Sequence, residues 1–259
     1  MKSKIKLLDQ IRHVIRLKHM SIRTEEAYVQ WVRRFILFHH KRHPAEMGAE
    51  DIRAFLTSLA GQGQVAASTQ HVALHALLFL YRDVLKQPLS ELGEIERARR
   101  PRRVPVVFTR EEVHSVLDRL EGTPRVMASL LYGAGLRLME CVRLRVKDID
   151  FAYQHITVRE GKGAQDRVTM LPQTLAEPLR QQLLRSQWLH TEDLAAGAGE
   201  VYLPYALARK DPGAGQSWEW QYVFPASKRS LDPRAGIERR HHLSETVLQK
   251  AVKPGFKRS

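Results

Sequence analysis

Residues 130–151 read LLYGAGLRLMECVRLRVKDIDF, and how this stretch is divided decides what the chain can be. Leu130, Leu131 and Tyr132 close an apolar run at helical spacing, Gly133 and Gly135 interrupt it, and Leu136 opens a second apolar run with Arg137 inside it. A guanidinium keeps its charge at any accessible pH, so among Leu138, Met139, Cys141 and Val142 it needs an anion. At the first turn of a helix the backbone dipole disfavours a cation, yet the same place suits an arginine that shares a phosphate with backbone N–H groups. The spacing equally allows an i,i+3 ion pair to Glu140. On the sequence both readings stand.

Downstream, HITVREGKGAQDRVTMLP (155–172) holds two β-rich runs joined by Gly161-Lys162-Gly163, the pattern of a β-hairpin. Lys162 at such a tip suits a general acid or a phosphate contact, or it is simply solvated. No GxxxxGK[ST] run accompanies it, which argues against a nucleotide-binding loop. Around the hairpin the periodicity predicts helices over 110–120, 124–132, 138–146 and about 173–188, with Thr109 and Glu112 forming a capping box that opens the first. Residues 190–235 are rich in Gly, Pro and Trp around the apolar patch VYLPYALARK, and a last helix, SETVLQKAV, starts at Ser244 and stops at Pro254.

Upstream the pattern is helical throughout. Ile5, Leu8, Ile11 and Ile15 mark one apolar stripe; Tyr28, Trp31, Val32, Phe35 and Ile36 mark a second, with Thr24 as its expected N-cap ahead of Glu25 and Glu26. Ile52, Phe55, Leu56 and Leu59 mark a third, and Ser68 is the expected cap of a fourth that runs through Leu85. Residues 1–87 therefore read as a small all-α bundle. Between the two regions, residues 88–108 form a basic linker in which Arg97, Arg99, Arg100, Arg102 and Arg103 crowd around Pro101, with Pro105 beyond. Such a run is either a solvated connection or a track for a DNA backbone, each neutralised phosphate releasing counterions.

Charge favours the second. The 259 residues carry 42 Lys+Arg against 28 Asp+Glu, a formal net charge of +14, which points to a polyanionic partner. A membrane surface would call for a basic amphipathic helix or a lipidation signal, and neither is clear. No apolar run is long enough to span a bilayer and the N-terminus is broken by charge, so a soluble, cytoplasmic protein is expected. The single Cys141 excludes an internal disulfide and reads as a buried thiol. The histidines of HHKRH (39–43) and RRHH (239–242) lack four ligands at zinc spacing and read as surface residues. Trp218 and Trp220 suit either a core or stacking on an unpaired base.

Taken in order, the helical first domain, the Arg/Pro linker, LLYGAGLRLMECVRLRVKDIDF and VREGKGAQDR resemble the tyrosine recombinases. The segment of about 190–242, GEVYLPYALARK through WEWQYVFPASKRSLDPRAGIERRHH, resembles the insert that sets integron integrases apart. The resemblance implies a mainly α fold with a small β-hairpin or sheet: a SAM-like helical DNA-binding domain (1–87), the linker (88–108) and a partial catalytic domain (109–259). It implies site-specific recombination of gene cassettes, in which a tyrosine attacks a phosphodiester. Arg137 would clamp the phosphate, Glu140 would support it, and Lys162 would protonate the leaving hydroxyl. Trp220, Pro233, His241 and His242 would hold a base protruding from a folded single-stranded cassette site. No cofactor or metal is implied, and the expected partners are that strand and a double-stranded attachment site, with the protein oligomeric on DNA.

One departure accompanies the resemblance. The family's His-x-x-Arg, a further histidine and the nucleophilic tyrosine belong beyond the last helix, whereas no histidine after Lys162 has arginine three residues on and Tyr222 is the final tyrosine. The expectation is an integrase lacking its C-terminal catalytic part, with apolar surface uncovered on the second domain. It would bind DNA without cleaving it; a non-catalytic module competing at recombination sites is one alternative. A phage-type or chromosome-dimer-resolving relative is the alternative, against which the 190–242 segment weighs.

Overall fold

The computed structural model describes residues 6–61, 65–87, 89, 107–159, 166–203, 205–233 and 235–253, with no side chains described for Tyr205 and Ala206. Lys162 and the linker arginines Arg97, Arg99, Arg100, Arg102 and Arg103 lie outside these residues. The chain falls into two compact units, 1–105 and 106–259.

The first unit is helical: α1 (Leu7–Leu17), α2 (Ile22–Phe38), α3 (Ala49–Gly61) and α4 (Ala67–Phe79), followed by a wide π-type turn at Leu80–Val84. Apart from Ile5, which lies outside the described residues, the stripes read from the sequence meet in one core built on Ile11, Ile15, Trp31, Val32, Phe35, Ile52, Phe55, Leu56, Leu59 and Leu77. Two helix starts differ from expectation. Ser21, not Thr24, caps α2, its hydroxyl accepting from the Thr24 N–H at 3.2 Å. The earlier start places Glu25 in the first turn, where Arg16 of α1 grips it with two hydrogen bonds of 3.1 and 2.8 Å. Ser68 does not cap α4, which begins at Ala67 behind Ala66. Its first turn is fixed instead by tertiary bonding, the buried Gln70 side chain donating to Leu56 O of α3 at 3.1 Å.

The second unit is mixed. Helices α5 (Arg110–Asp118), α6 (Gly122–Gly133) and α7 (Leu138–Val142) precede a three-stranded antiparallel sheet of β1 (Ile149–Asp150), β2 (His155–Val158) and β3 (Arg167–Met170), with β2 in the centre. Then follow α8 (Gln173–Ala195), α9 (Tyr205–Lys210), the small ribbon β4 (Ser230–Leu231) and β5 (Glu238–Arg239), and α10 (Glu245–Val252). Its core joins Met127, Leu130, Cys141, Val142, Ile156, Leu179, Val223, Phe224 and Leu248. The expected Thr109/Glu112 capping box is formed in full, and Cys141 is buried, its thiol pushed up to about 12 by burial. Leu184 and Trp188 on α8 stand largely exposed. Among the described residues no helix is long and apolar enough to cross a membrane.

Two elements depart from the sequence reading. The helix expected over 138–146 ends at Val142, because Arg145 takes an extended conformation and Asp148 accepts its backbone N–H at 3.1 Å, closing a 3-10 turn that leads into β1. Helix α8 runs to Ala195 rather than 188. A buried polar stripe that begins at Gln182 and Ser186 continues into the extension as His190 and Asp193 and faces the segment that follows. Gln182 and Ser186 both donate to Val223 O, at 3.0 and 2.8 Å, and Asp193 takes the guanidinium of Arg240.

Candidate functional site

Arg137 is the residue that turns the chain into α7. Gly135 bends the backbone at φ +63°, a conformation L side chains rarely adopt. Gly133 lies so close to Pro172 that a β-carbon would meet its ring at 2.9 Å. With α6 stopped there, Arg137 stands at the N-cap of α7 in an extended conformation. The ion pair to Glu140 that the spacing allows is present: Glu140 Oε1 accepts from Arg137 Nη1 at 2.6 Å and Oε2 accepts from the Arg137 backbone N–H at 2.8 Å. This is half a capping box, since a guanidinium has no acceptor with which to return the bond. With only five residues in α7, the carboxylate rather than a helix dipole sets the local field.

The pairing does not consume Arg137. Its side chain is 58% exposed while that of Glu140 is 8% exposed. A second cation meets the same carboxylate from β3. Arg167 Nη1 and Nη2 donate to Glu140 Oε1 and Oε2 at 2.8 and 2.7 Å, a two-pronged contact. Chiefly through the hydrogen bond from Arg167, and against the opposing pull of burial, Glu140 is lowered to about 2 and stays ionised. Two guanidinium groups around one carboxylate leave a net positive patch, which can receive an anion.

Sequence reasoning missed Arg167, and the reason lies in the sheet. Arg167 pairs directly with Val158 and Thr169 with Ile156, and directly opposed residues share a face, so these two polar side chains point inward with the buried aliphatics. Val168 and Met170 face solvent. The usual inward apolar alternation is reversed because Arg167 has Glu140 to meet and Thr169 Oγ1 donates to Ala134 O at 2.8 Å. Those two bonds fasten β3 to the glycine turn that presents Arg137. A matching contact holds β2: Arg159 Nε donates to the buried Asp148 at 2.6 Å. Arg159 and Arg167, both held by carboxylates, flank in sequence the segment that contains Lys162, which lies outside the described residues.

Arg145, also unforeseen, organises the segment beyond α8. Its Nη1 donates to Trp220 O at 2.6 Å and its Nη2 to Tyr202 O at 2.9 Å and the Tyr222 hydroxyl at 3.1 Å. Trp220 packs against a small cluster with Val201, Leu203 and Tyr222, and Lys147 lies over its ring. His242 meets the edge of Tyr222 with centroids 5.4 Å apart, and His241 lies 6.3 Å from His242. Burial lowers the pKa of both histidines, favouring the neutral rings. Pro233 sits exposed between β4 and β5, and the ring contacts that join Tyr222, His241 and His242 do not include it.

The remaining motifs do structural work. His39 bonds Asp51 O and His43 caps the turn at Pro44–Glu46; among the described residues no three His, Cys, Asp or Glu side chains gather to hold a metal. Trp218 stacks on His190. A hollow of about 260 Å³ between Phe151, Gln154 and Arg180 lies at the start of α8 and contains none of the residues above.

Against known proteins, residues 7–91 match the phage integrase N-terminal SAM-like domain and residues 107–254 match the phage integrase family. An integrase/recombinase of Escherichia coli and one of Pseudomonas aeruginosa are each 51% identical over 249 residues, spanning 96% of this chain and 74% of the relative. A solved lambda integrase tetramer bound to a Holliday junction shares the fold with a TM-score of 0.55 at 12% identity, over 98% of this chain and 64% of that one.

Proposed function

The chain belongs to the phage integrase family, and on that premise we propose that it acts in site-specific DNA recombination by gripping the phosphodiester at which strands are exchanged. The observation that carries this reading is the exposed Arg137 guanidinium, placed with Arg167 around a carboxylate lowered to about 2. An arginine fork matches two non-bridging phosphate oxygens, and a partly desolvated site strengthens the contact. Lys162, between Arg159 and Arg167 in sequence, is assigned the protonation of the leaving hydroxyl, and Arg97, Arg99, Arg100, Arg102 and Arg103 the contacts to flanking phosphates.

The finer reading is an integron-type integrase. Trp220, His241 and His242, with Pro233, supply flat surface for a base displaced from a folded single-stranded cassette site, a recognition of shape rather than sequence. DNA is the partner, and assembly on it as an oligomer follows from the recombination reaction. The reading does not assign the attacking hydroxyl to residues 1–259. Tyr222 is 6% exposed and its hydroxyl is taken by Arg145, and no His-x-x-Arg follows Lys162. By themselves these residues bind and hold the site.

The test offers the 259-residue chain a folded cassette-site strand, the same strand with the protruding bases deleted, and a nicked suicide duplex. Expected are binding to the folded strand, binding weakened about tenfold or more by the deletion, and no covalent product. An adduct that survives denaturation would overturn the assignment of the hydroxyl, and equal affinity for both strands would overturn the integron-type reading.

A further inference from the structure

The two oxygens of a carboxylate offer about four acceptor sites, and in Glu140 all are engaged. Oε1 accepts from Arg137 Nη1 and Arg167 Nη1, and Oε2 accepts from the Arg137 backbone N–H and Arg167 Nη2. Of the five N–H donors in the Arg137 guanidinium, one meets a partner among the described residues. The arrangement divides the labour between the two arginines. Arg167 makes the two-pronged pair, and Arg137 makes a single contact to the same group.

Remove the Arg167 fork and that division collapses. Glu140 is almost wholly out of water, and an ionised carboxylate so placed draws in whatever donors can reach it. Arg137, three residues away, is the cation already in contact, and the two-pronged geometry is the stronger one. Its remaining donors would turn from solvent to Glu140. Resting on the reading of Arg137 as the phosphate clamp, we infer that Arg167 is a positioning residue: by filling Glu140 it holds Arg137 to one hydrogen bond and leaves the rest of that guanidinium for the phosphodiester. Arg167 acts through Glu140 and needs no contact with DNA.

The experiment follows arginine Nε–H resonances in the full chain labelled with 15N-arginine, titrated with inorganic phosphate as the probe. Arg137→Gln identifies the Arg137 signal, and the signal of Arg240, bound to Asp193, serves as a check on folding. In the wild type the Arg137 signal shifts with phosphate. In Arg167→Gln the Arg240 signal stays in place while the phosphate dissociation constant read at Arg137 rises about tenfold, the cost of the lost charge-assisted bonds. Arg167→Lys, which keeps the charge but cannot span both oxygens, gives a rise of about threefold and serves if the glutamine variant fails to fold. An unchanged dissociation constant in a folded Arg167 variant overturns the inference. A wild-type Arg137 signal indifferent to phosphate overturns the phosphate-clamp reading itself.

Discussion

The guanidinium of Arg145 lies on the ring of Tyr222, 4.0 Å from its centroid, and also donates to its hydroxyl at 3.1 Å. The last tyrosine of the sequence is therefore a structural anchor. It pins the segment after α8 to the turn before β1, where Val146 N and Leu144 O bond Gln221 O and Val223 N in two further rungs. Tyr222→Phe keeps the ring under Arg145 and removes one hydrogen bond, so the second unit should lose about 1 kcal/mol in urea unfolding, with DNA affinity unchanged. A large loss of DNA affinity at unaltered stability would place Tyr222 in the binding chemistry instead.

Acid should unfold the second unit partly through Glu140. Its folded pKa, about 2, lies below the ordinary glutamate value of 4.5, so its contribution is complete above about pH 4.5 and is lost as pH falls towards 2. Glu140→Gln should flatten the stability profile in that window and leave the profile above pH 5 with the same slope. An unchanged acid profile would mean that the two arginines contribute nothing to holding the carboxylate.

Asp193 and Arg240 form a pair in which both side chains are largely buried, at 7% and 14% exposure. Asp193→Ala leaves the arginine without its anion, and breaking such a pair costs about 3–5 kcal/mol. The expected outcome is a lower urea midpoint for the second unit, with the transition of the first unit unmoved. A loss below about 1 kcal/mol, typical of exposed pairs, would show that water reaches Arg240 freely.

These contacts also mark how far the sequence could be read. The first unit was legible because its apolar stripes recur at helical spacing; the caps slipped, Ser21 being a better cap residue than Thr24, and the fourth helix, read through Leu85, gives way to a π-type turn after Phe79. The start of α8 was visible, whereas its last two turns carry His190 and Asp193, continuing the polar stripe of Gln182 and Ser186, where an apolar stripe would be sought. The Arg137–Glu140 ion pair was legible from its i,i+3 spacing after the two glycines. Arg167 was not, because β3 turns Arg167 and Thr169 inward and Val168 and Met170 outward, against ordinary alternation. Arg145 was absorbed into a helix that ends before it. At α4, α8 and Arg167 a tertiary ion pair or hydrogen bond overrode the local pattern, whereas α7 ends on the local bond between Arg145 and Asp148.

Salt should act strongly on DNA binding. With a net charge of +14 and about six phosphates contacted, affinity falls roughly 10³-fold between 50 and 200 mM salt. Substituting the linker arginines in pairs should reduce the slope by about two. A salt-independent affinity would remove phosphate contact as the main source of binding.

The proposed grip of Arg137 on one phosphodiester is tested most directly by replacing the phosphates of a folded cassette-site strand, one at a time, with uncharged methylphosphonates. Affinity is then compared between the wild type and Arg137→Gln. The account predicts a single position at which the neutral linkage weakens the wild type about tenfold or more and leaves the variant unaffected. Equal losses in both proteins at every position would contradict it.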